Sequence, residues 1–319
     1  MMKPTRLTCV MCACVTIVLL TGCFKEGEIR GSNELLLNGS LLKGTMAHAD
    51  IYIEDIDHHV IWQGTSDVNG QFQSQFSALE NSIYTLRSKV NHSTIMQCDA
   101  VFCFDTNDNV IAQFGEPIIA SEIAGLQLTS FISSHAQTQT RQLNVFTTLV
   151  HDLVAAQLLD GVYQNGVEKV SVSASNLVSY ALNLPMDSGN FLSKPLQNLT
   201  IADEEIDAMS IVNAAMSAHI SYLPTLSATI VAAYHEPNNH QLQSALEAQK
   251  NQILDTAYEL LASAYVANVS QQVTNQISVA RQRRINFAAF ALQSRQLRSD
   301  ISMTNAQRNI TGAFGRSGN

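Results

Sequence analysis

Short motifs that announce a reaction are missing from this chain. There is no G-x-S-x-G and no S-x-x-K with supporting partners, so the sequence advertises no activated serine. No glycine-rich phosphate loop is present, which sets aside the common nucleotide-binding frames. C-x-x-C spacing is absent. A zinc helix motif appears only in distorted form, because His235 and His240 are five apart with Pro237 between them. Zinc pairs of this kind need two histidines four apart on one helical face, and an interior proline breaks that face. Charge is also scarce, at 14% Asp, Glu, Lys and Arg. With abundant Gln, Asn, Ser and Thr, this describes an uncharged polar surface over an ordinary core, not a disordered acidic tail. Finally, the apolar run Leu7 to Leu20 is followed closely by Lys25, Glu26 and Glu28. It falls short of the roughly 20 residues a membrane span requires.

What stands at that end is a basic start with Lys3 and Arg6, the apolar run, and then Leu20-Thr21-Gly22-Cys23. This order describes a secretory signal peptide with a small-residue cleavage point. The cysteine after the small residues resembles the lipobox of bacterial lipoproteins. The resemblance implies that residues 1–22 are removed and that Cys23 is lipidated. Phe24 stands where an aspartate would signal inner-membrane retention, which implies anchoring in the outer membrane, facing the periplasm or the cell surface. Residues 23–33 then read as a short polar tether.

Six cysteines occur, at 9, 12, 14, 23, 98 and 103. Three leave with the signal peptide and Cys23 goes to the anchor. Cys98 and Cys103 remain, a pair in an oxidising compartment, where a structural disulfide is the expected state. Two thiols alone make a poor zinc site. Neither metal nor cofactor is expected.

The net charge of −9 is unevenly spread. Phe24 to Ala120 holds 13 acidic and 5 basic residues, while Leu261 to Asn319 holds 7 arginines and 1 aspartate. Such asymmetry suggests that the two ends meet or that the C-terminal end meets an anionic partner. Arg281, Arg283, Arg284, Arg295 and Arg298 are the candidates for that contact. Export argues against nucleic acid, and no exposed aromatics are interleaved with these arginines.

From Glu34 to about Gln113 the pattern is short and β-like. Asp50-Ile-Tyr-Ile-Glu54 and Ile83 to Val90 alternate with period two, and Asn-Gly and Asp-x-Asn-Gly turns separate such runs. The order Gly39-Ser-Leu-Leu-Lys-Gly44, Ala49-Asp-Ile-Tyr-Ile-Glu54 and Gly64-Thr-Ser-Asp-Val-Asn-Gly-Gln-Phe72 is similar to carboxypeptidase regulatory-like (prealbumin-like) domains. That resemblance implies a β-sandwich over 34–117, a non-catalytic module that fixes no chemistry by itself.

Two turns tempt a calcium reading. Asp67-Val-Asn-Gly70 is better explained as a tight turn, because Asn-Gly supplies positive φ. Asp105, Asn107, Asn109 and Glu116 occupy positions 1, 3, 5 and 12 of an EF-hand frame. Val110, however, stands where that loop needs glycine, and an Asn/Asp-rich β-turn is the preferred reading, with calcium as the lesser one.

After Ile118 the pattern turns helical, and a helical domain is expected over 118–310 with a flexible tail at 311–319. One face carries Leu143, Phe146, Leu149, Val150, Leu153, Val154 and Leu158. Its start, Leu143-Asn-Val-Phe-Thr-Thr-Leu149, is loosely similar to a segment that follows the β-domain in secreted bacterial lipoproteins. Val170 to Leu184 and Leu226 to Tyr234 are further helices, and Thr200 to Glu204 reads as a capped helix start. Gln241 to Arg298 reads as one long helix or two with a break near Arg281–Arg284. His151-Asp152 is expected on a solvated face, and the carboxylates Asp203, Glu204, Glu205 and Asp207 at a helix N-terminus.

The sequence thus leads to a multi-domain α+β protein, with an N-terminal antiparallel β-sandwich followed by an all-α domain. The function expected is a non-enzymatic binding or scaffolding component of the envelope, held to the membrane by its lipid and meeting an envelope protein or polymer. The alternative is an exported hydrolase acting on polysaccharide, peptide or lipid, and a cleft with convergent Asp, Glu or His side chains would favour it.

Overall fold

A computed structural model describes residues 32–80, 82–158, 163–184, 191–199, 205–266 and 269–292. Cys23, Asp203, Glu204, Arg295, Arg298 and the 311–319 tail lie outside the described residues, as does the Thr200 to Glu204 helix start.

The first strands follow directly from the alternating pattern. β1 (Ser32–Leu42) pairs antiparallel with β5 (Gln71–Leu79), whose Phe72, Ser74, Phe76 and Ala78 all point inward. β3 (Asp50–Glu54) lies between β4 (Val60–Thr65) and β6 (Ile83–Lys89), antiparallel to both. The short strands β2 (Met46–Ala47) and β7 (Ile95–Gln97) pair, and β8 (Phe102–Phe104) forms a hairpin with β9 (Val110–Gln113). β10 (Pro117–Ile119) joins β7.

The β region does not end there. Where helix was expected, β11 (Gln127–Ser133) adds to β6 and β12 (Thr138–Asn144) adds to β1. The β12 pairing is parallel, so the expected all-antiparallel arrangement is corrected at this edge. β11 is buried at five successive positions, Leu128 to Ile132. A strand covered on both faces loses the alternation by which strands are recognised. The resulting larger sheets have the orders β12-β1-β5 and β11-β6-β3-β4.

Helices begin at Val145, directly after β12. Asn144 makes the junction: its Oδ1 accepts from the Thr147 amide at 2.9 Å, and its own amide donates to Thr147 Oγ1 at 3.0 Å. This reciprocal cap satisfies amide groups that a helix start otherwise leaves bare. It accounts for the Asn144-x-x-Thr147 spacing as local structure.

α1 (Val145–Leu158) and α2 (Tyr163–Ala181) follow. α3 (Ala208–Ser217) is capped by Asp207, whose carboxylate accepts from Ser210 N. Glu205 precedes the helix instead of lying on it. α4 (Tyr222–His235) is longer than the expected apolar core of that helix, because Pro224 is tolerated in a first turn where no amide is needed. The long C-terminal pattern is broken twice. α5 (His240–Ala262) ends at Ser263, α6 (Gln271–Gln282) ends at Arg283, and a short helical stretch covers 287–292. Ser270 caps α6 through its side chain, giving that helix a fresh start.

One continuous apolar core runs from β1 to α6, and the residues from Ser32 onward form one compact unit. Asn213 of α3 ties its parts together: its Nδ2 donates to Leu42 O at 3.1 Å and its Oδ1 accepts from Val145 N at 3.3 Å. Cys98 and Cys103, both buried, are disulfide-bonded beside the β8–β9 hairpin.

Candidate functional site

A cleft of about 490 Å³ opens where β6 and β11 meet α1 and α4. Leu126, Ile220, Leu223 and Pro224 supply apolar wall, while Arg87, Thr129, His151, Asp152, Ser221 and Ser227 bring polar atoms to it. His151 and Asp152 come from α1, Ser221 and Ser227 from the start and body of α4, and Arg87 and Thr129 from adjacent strands.

Several of these polar groups are already engaged. Ser227 Oγ donates to Asp152 Oδ2 at 2.5 Å, and His151 Nδ1 lies 3.1 Å from Asp152 Oδ1. The His151 ring packs on Phe131, with centroids 4.5 Å apart. The Arg87 guanidinium meets Glu54 at 3.0 Å and donates to Gln127 at 3.3 Å. Two groups are not engaged: Thr129 Oγ1 and Arg87 Nε are buried without a hydrogen-bond partner among the described residues. Such orphans are uncommon in native interiors and cost stability unless something occupies them.

A second polar chain borders the same cleft. Ser221 Oγ is 2.7 Å from His219 Nδ1, and His219 Nε2 is 2.9 Å from Asp108 Oδ1. The Ser221 amide also donates to His219 Nδ1, at 3.2 Å. Two donors aimed at Nδ1 assign the ring proton to Nε2, where it is given to Asp108. His219 is only 6% exposed, and its ring stacks on Tyr222 at 5.0 Å. Asp108 reaches it from the β8–β9 turn because the hairpin docks on the helical side, with Phe104 N donating to Ala218 O at 2.7 Å.

Away from the cleft, Lys43 and Asp99 are both fully buried. Burial lowers the Lys43 ammonium to about 8, against the opposing attraction of Asp99. Burial raises the Asp99 carboxyl to about 7, opposed by the Gly44 amide and by Lys43. Lys43 Nζ donates to Met216 O at 3.3 Å, so this pair joins the end of β1 to the end of α3.

The residues singled out from sequence fall elsewhere. Asp105 to Asn109 forms the turn between two strands, without the flanking helices of an EF-hand. Asp105 Oδ1 accepts from the amides of Asn107 and Asn109, and Oδ2 accepts from the Asn109 side chain at 3.0 Å. The Asn109 side chain, then its amide, hold the Asp105 carboxyl below its usual range. Glu116 instead accepts from Gln113 N. The Asp67 turn behaves alike, with Gly70 at φ +72. Arg281 pairs with Asp255 of α5 and lies over the Tyr258 ring, so its charge is met within the helical region. Arg283 uses its carbonyl to accept from Lys250, and its side chain, like that of Arg284, is exposed.

His151 departs from the solvated face expected for it and lines the cleft. Asp108, His219, Ser221 and Ser227 were not foreseen, since their spacing in sequence matches no catalytic or ligand-binding pattern. Among the described residues, no helix is long and apolar enough to cross a membrane.

No protein-family model matches the sequence, and comparison with curated proteins gives no match. Among solved structures, a 9R-lipoxygenase from Cyanothece PCC8801 is similar at 13% identity with a TM-score of 0.18. The match covers 67% of this chain and 26% of that enzyme, so the chain spans about a quarter of its length. A likeness at that level carries no argument about fold or chemistry.

Proposed function

We propose that this is an outer-membrane lipoprotein, anchored through Cys23, that binds an amphipathic small molecule in the cleft between its β and helical halves. The cleft carries the proposal. Ligand sites are concave, mostly apolar and furnished with a few convergent polar groups. Here the apolar wall of Leu126, Ile220, Leu223 and Pro224 shares one concavity with the polar residues Arg87, Thr129, His151, Asp152, Ser221 and Ser227. The β-sandwich reading belongs to the same proposal, with the β12-β1-β5 and β11-β6-β3-β4 sheets as its two layers and the cleft at the edge of the second. The anchor rests on the lipobox resemblance and on Phe24 after the cysteine. Convergence of His151 and Asp152 on one cleft also favours the hydrolase alternative, for which convergent Asp and His side chains are the expected mark.

Titration of purified mature protein with the environment-sensitive dye N-phenyl-1-naphthylamine tests the binding reading. Saturable enhancement is expected, and it should be lost in Ala124→Trp, which fills the cleft from an exposed position. Equal dye response in the two proteins would remove the cleft from the reading. Separately, Cys23→Ser protein should fractionate as an unprocessed or soluble form, since stable anchoring takes more than one acyl chain. Mature, membrane-bound Cys23→Ser protein would remove the anchor.

A further inference from the structure

We propose that Ser221 is an acyl-accepting nucleophile and that the cleft takes an uncharged carboxylic ester, its acyl chain lying on the wall formed by Leu126, Ile220, Leu223 and Pro224. The inference rests on the reading of the cleft as the ligand site and adds a reaction to it.

A serine hydroxyl is a weak nucleophile until a base takes its proton, and the base works best when a third group orients it. Ser221, His219 and Asp108 form such a series, with links of 2.7 and 2.9 Å. Triads are recognised by geometry and roles and not by chain order. Here the two ring nitrogens exchange their more familiar duties: Nδ1 faces the serine and Nε2 faces the carboxylate. The ring is held on one side by Tyr222 and lies 6.4 Å from Phe104 on its other contact, so its plane is set before substrate arrives.

Ser221 precedes the first turn of α4, where a serine ordinarily caps the helix with its side chain. Its hydroxyl makes no cap bond and is given to His219 instead. The 14-residue helix that follows directs its positive end at the same place, where negative charge would develop on an attacked carbonyl oxygen.

The steps balance with water as the only co-reactant. Ser221 Oγ bonds to the ester carbonyl carbon while its proton passes to His219 Nδ1, and Asp108 stabilises the imidazolium formed. The carbon–oxygen bond to the alcohol breaks, and the alcohol leaves with the proton from His219. Water then attacks the acyl-serine, giving its proton to His219, and the carboxylic acid departs as the proton returns to Ser221. No oxidant or metal is consumed.

The test uses the full-length mature protein in detergent, an alkyl fluorophosphonate probe and p-nitrophenyl butyrate. Expected results are a covalent adduct mapped to Ser221, ester hydrolysis, and loss of both in Ser221→Ala. Asp108→Asn, at a position exposed enough to spare the fold, should lower kcat/KM on the order of 10²-fold or more and shift the acid limb of the pH–rate profile. An Asp108 that merely docks the hairpin would leave that limb unmoved, which would overturn its positioning role. Absence of a Ser221 adduct, or hydrolysis undiminished in Ser221→Ala, would overturn the proposal. If the dye still binds in that case, the binding reading stands and only the acyl transfer fails; if dye binding is absent too, both fail.

Discussion

Asp99→Asn is the perturbation that most directly tests the buried charges, because two groups of opposite sign respond to pH in opposite directions. Asp99 titrates near 7 in the folded protein and at 3.8 when unfolded. Between those values the native state keeps a proton that the unfolded chain has shed, so stability falls as pH rises. At about 1.4 kcal/mol per pH unit, the span from 3.8 to about 7 sets a ceiling of about 4 kcal/mol. Lys43 titrates near 8 when folded and at 10.5 when unfolded. There the unfolded chain holds the extra proton, and stability rises with pH, by at most about 3 kcal/mol. The pair therefore contributes least between pH 7 and 8. In Asp99→Asn the acidic limb disappears. The alkaline limb begins at lower pH, because the attraction that supports the Lys43 charge is gone. Urea midpoints for both proteins from pH 4.5 to 9, with the disulfide intact, read this out through a shared m-value. The difference between the two proteins cancels the other carboxylates. A difference that stays constant from pH 4.5 to 7 would refute the claim that burial holds a proton on Asp99.

Two further outcomes follow from the same corner of the molecule. Gly44 has φ +62, and a Cβ there would lie 1.8 Å from the Gln97 carbonyl oxygen. Gly44→Ala should cost about 1–3 kcal/mol for the backbone conformation alone, with the clash adding to it, and thermal melts will measure the loss. Replacing Cys98 and Cys103 together by alanine opens a short loop, sequence separation 5. About 2 kcal/mol should be lost in urea unfolding, without loss of the helical circular dichroism signal.

How much could be read in advance depended on how regularly each segment meets solvent. β3, β5 and β6 bury one face each, so Ile51 and Ile53, or Phe72 and Phe76, mark them by alternation. β11 is covered on both sides and β12 pairs with β1 more than 90 residues earlier in sequence, so neither announces itself locally. The break between α5 and α6 was hidden for a related reason. Apolar spacing continues through it, since Leu260, Val266 and Val273 all reach the same core although the helix stops between them. α3 begins after Asp207 because a cap is decided by which oxygen can reach a bare amide, and Asp207 reaches Ser210 N.

By itself the sequence determined the order of β before α and the pairing of Cys98 with Cys103, both of which depend on residues close together along the chain. Alternation and turns are local, and local sterics and hydropathy are enough to specify them. The cleft and its polar chains were decided only by the tertiary structure. Asp108 is 111 residues from His219 and Asp152 is 75 from Ser227. Only the packing of the β8–β9 hairpin and α1 against α4 brings each carboxylate to its partner. Distances of that kind are set by the burial of a shared core, to which every segment contributes and which no one segment encodes.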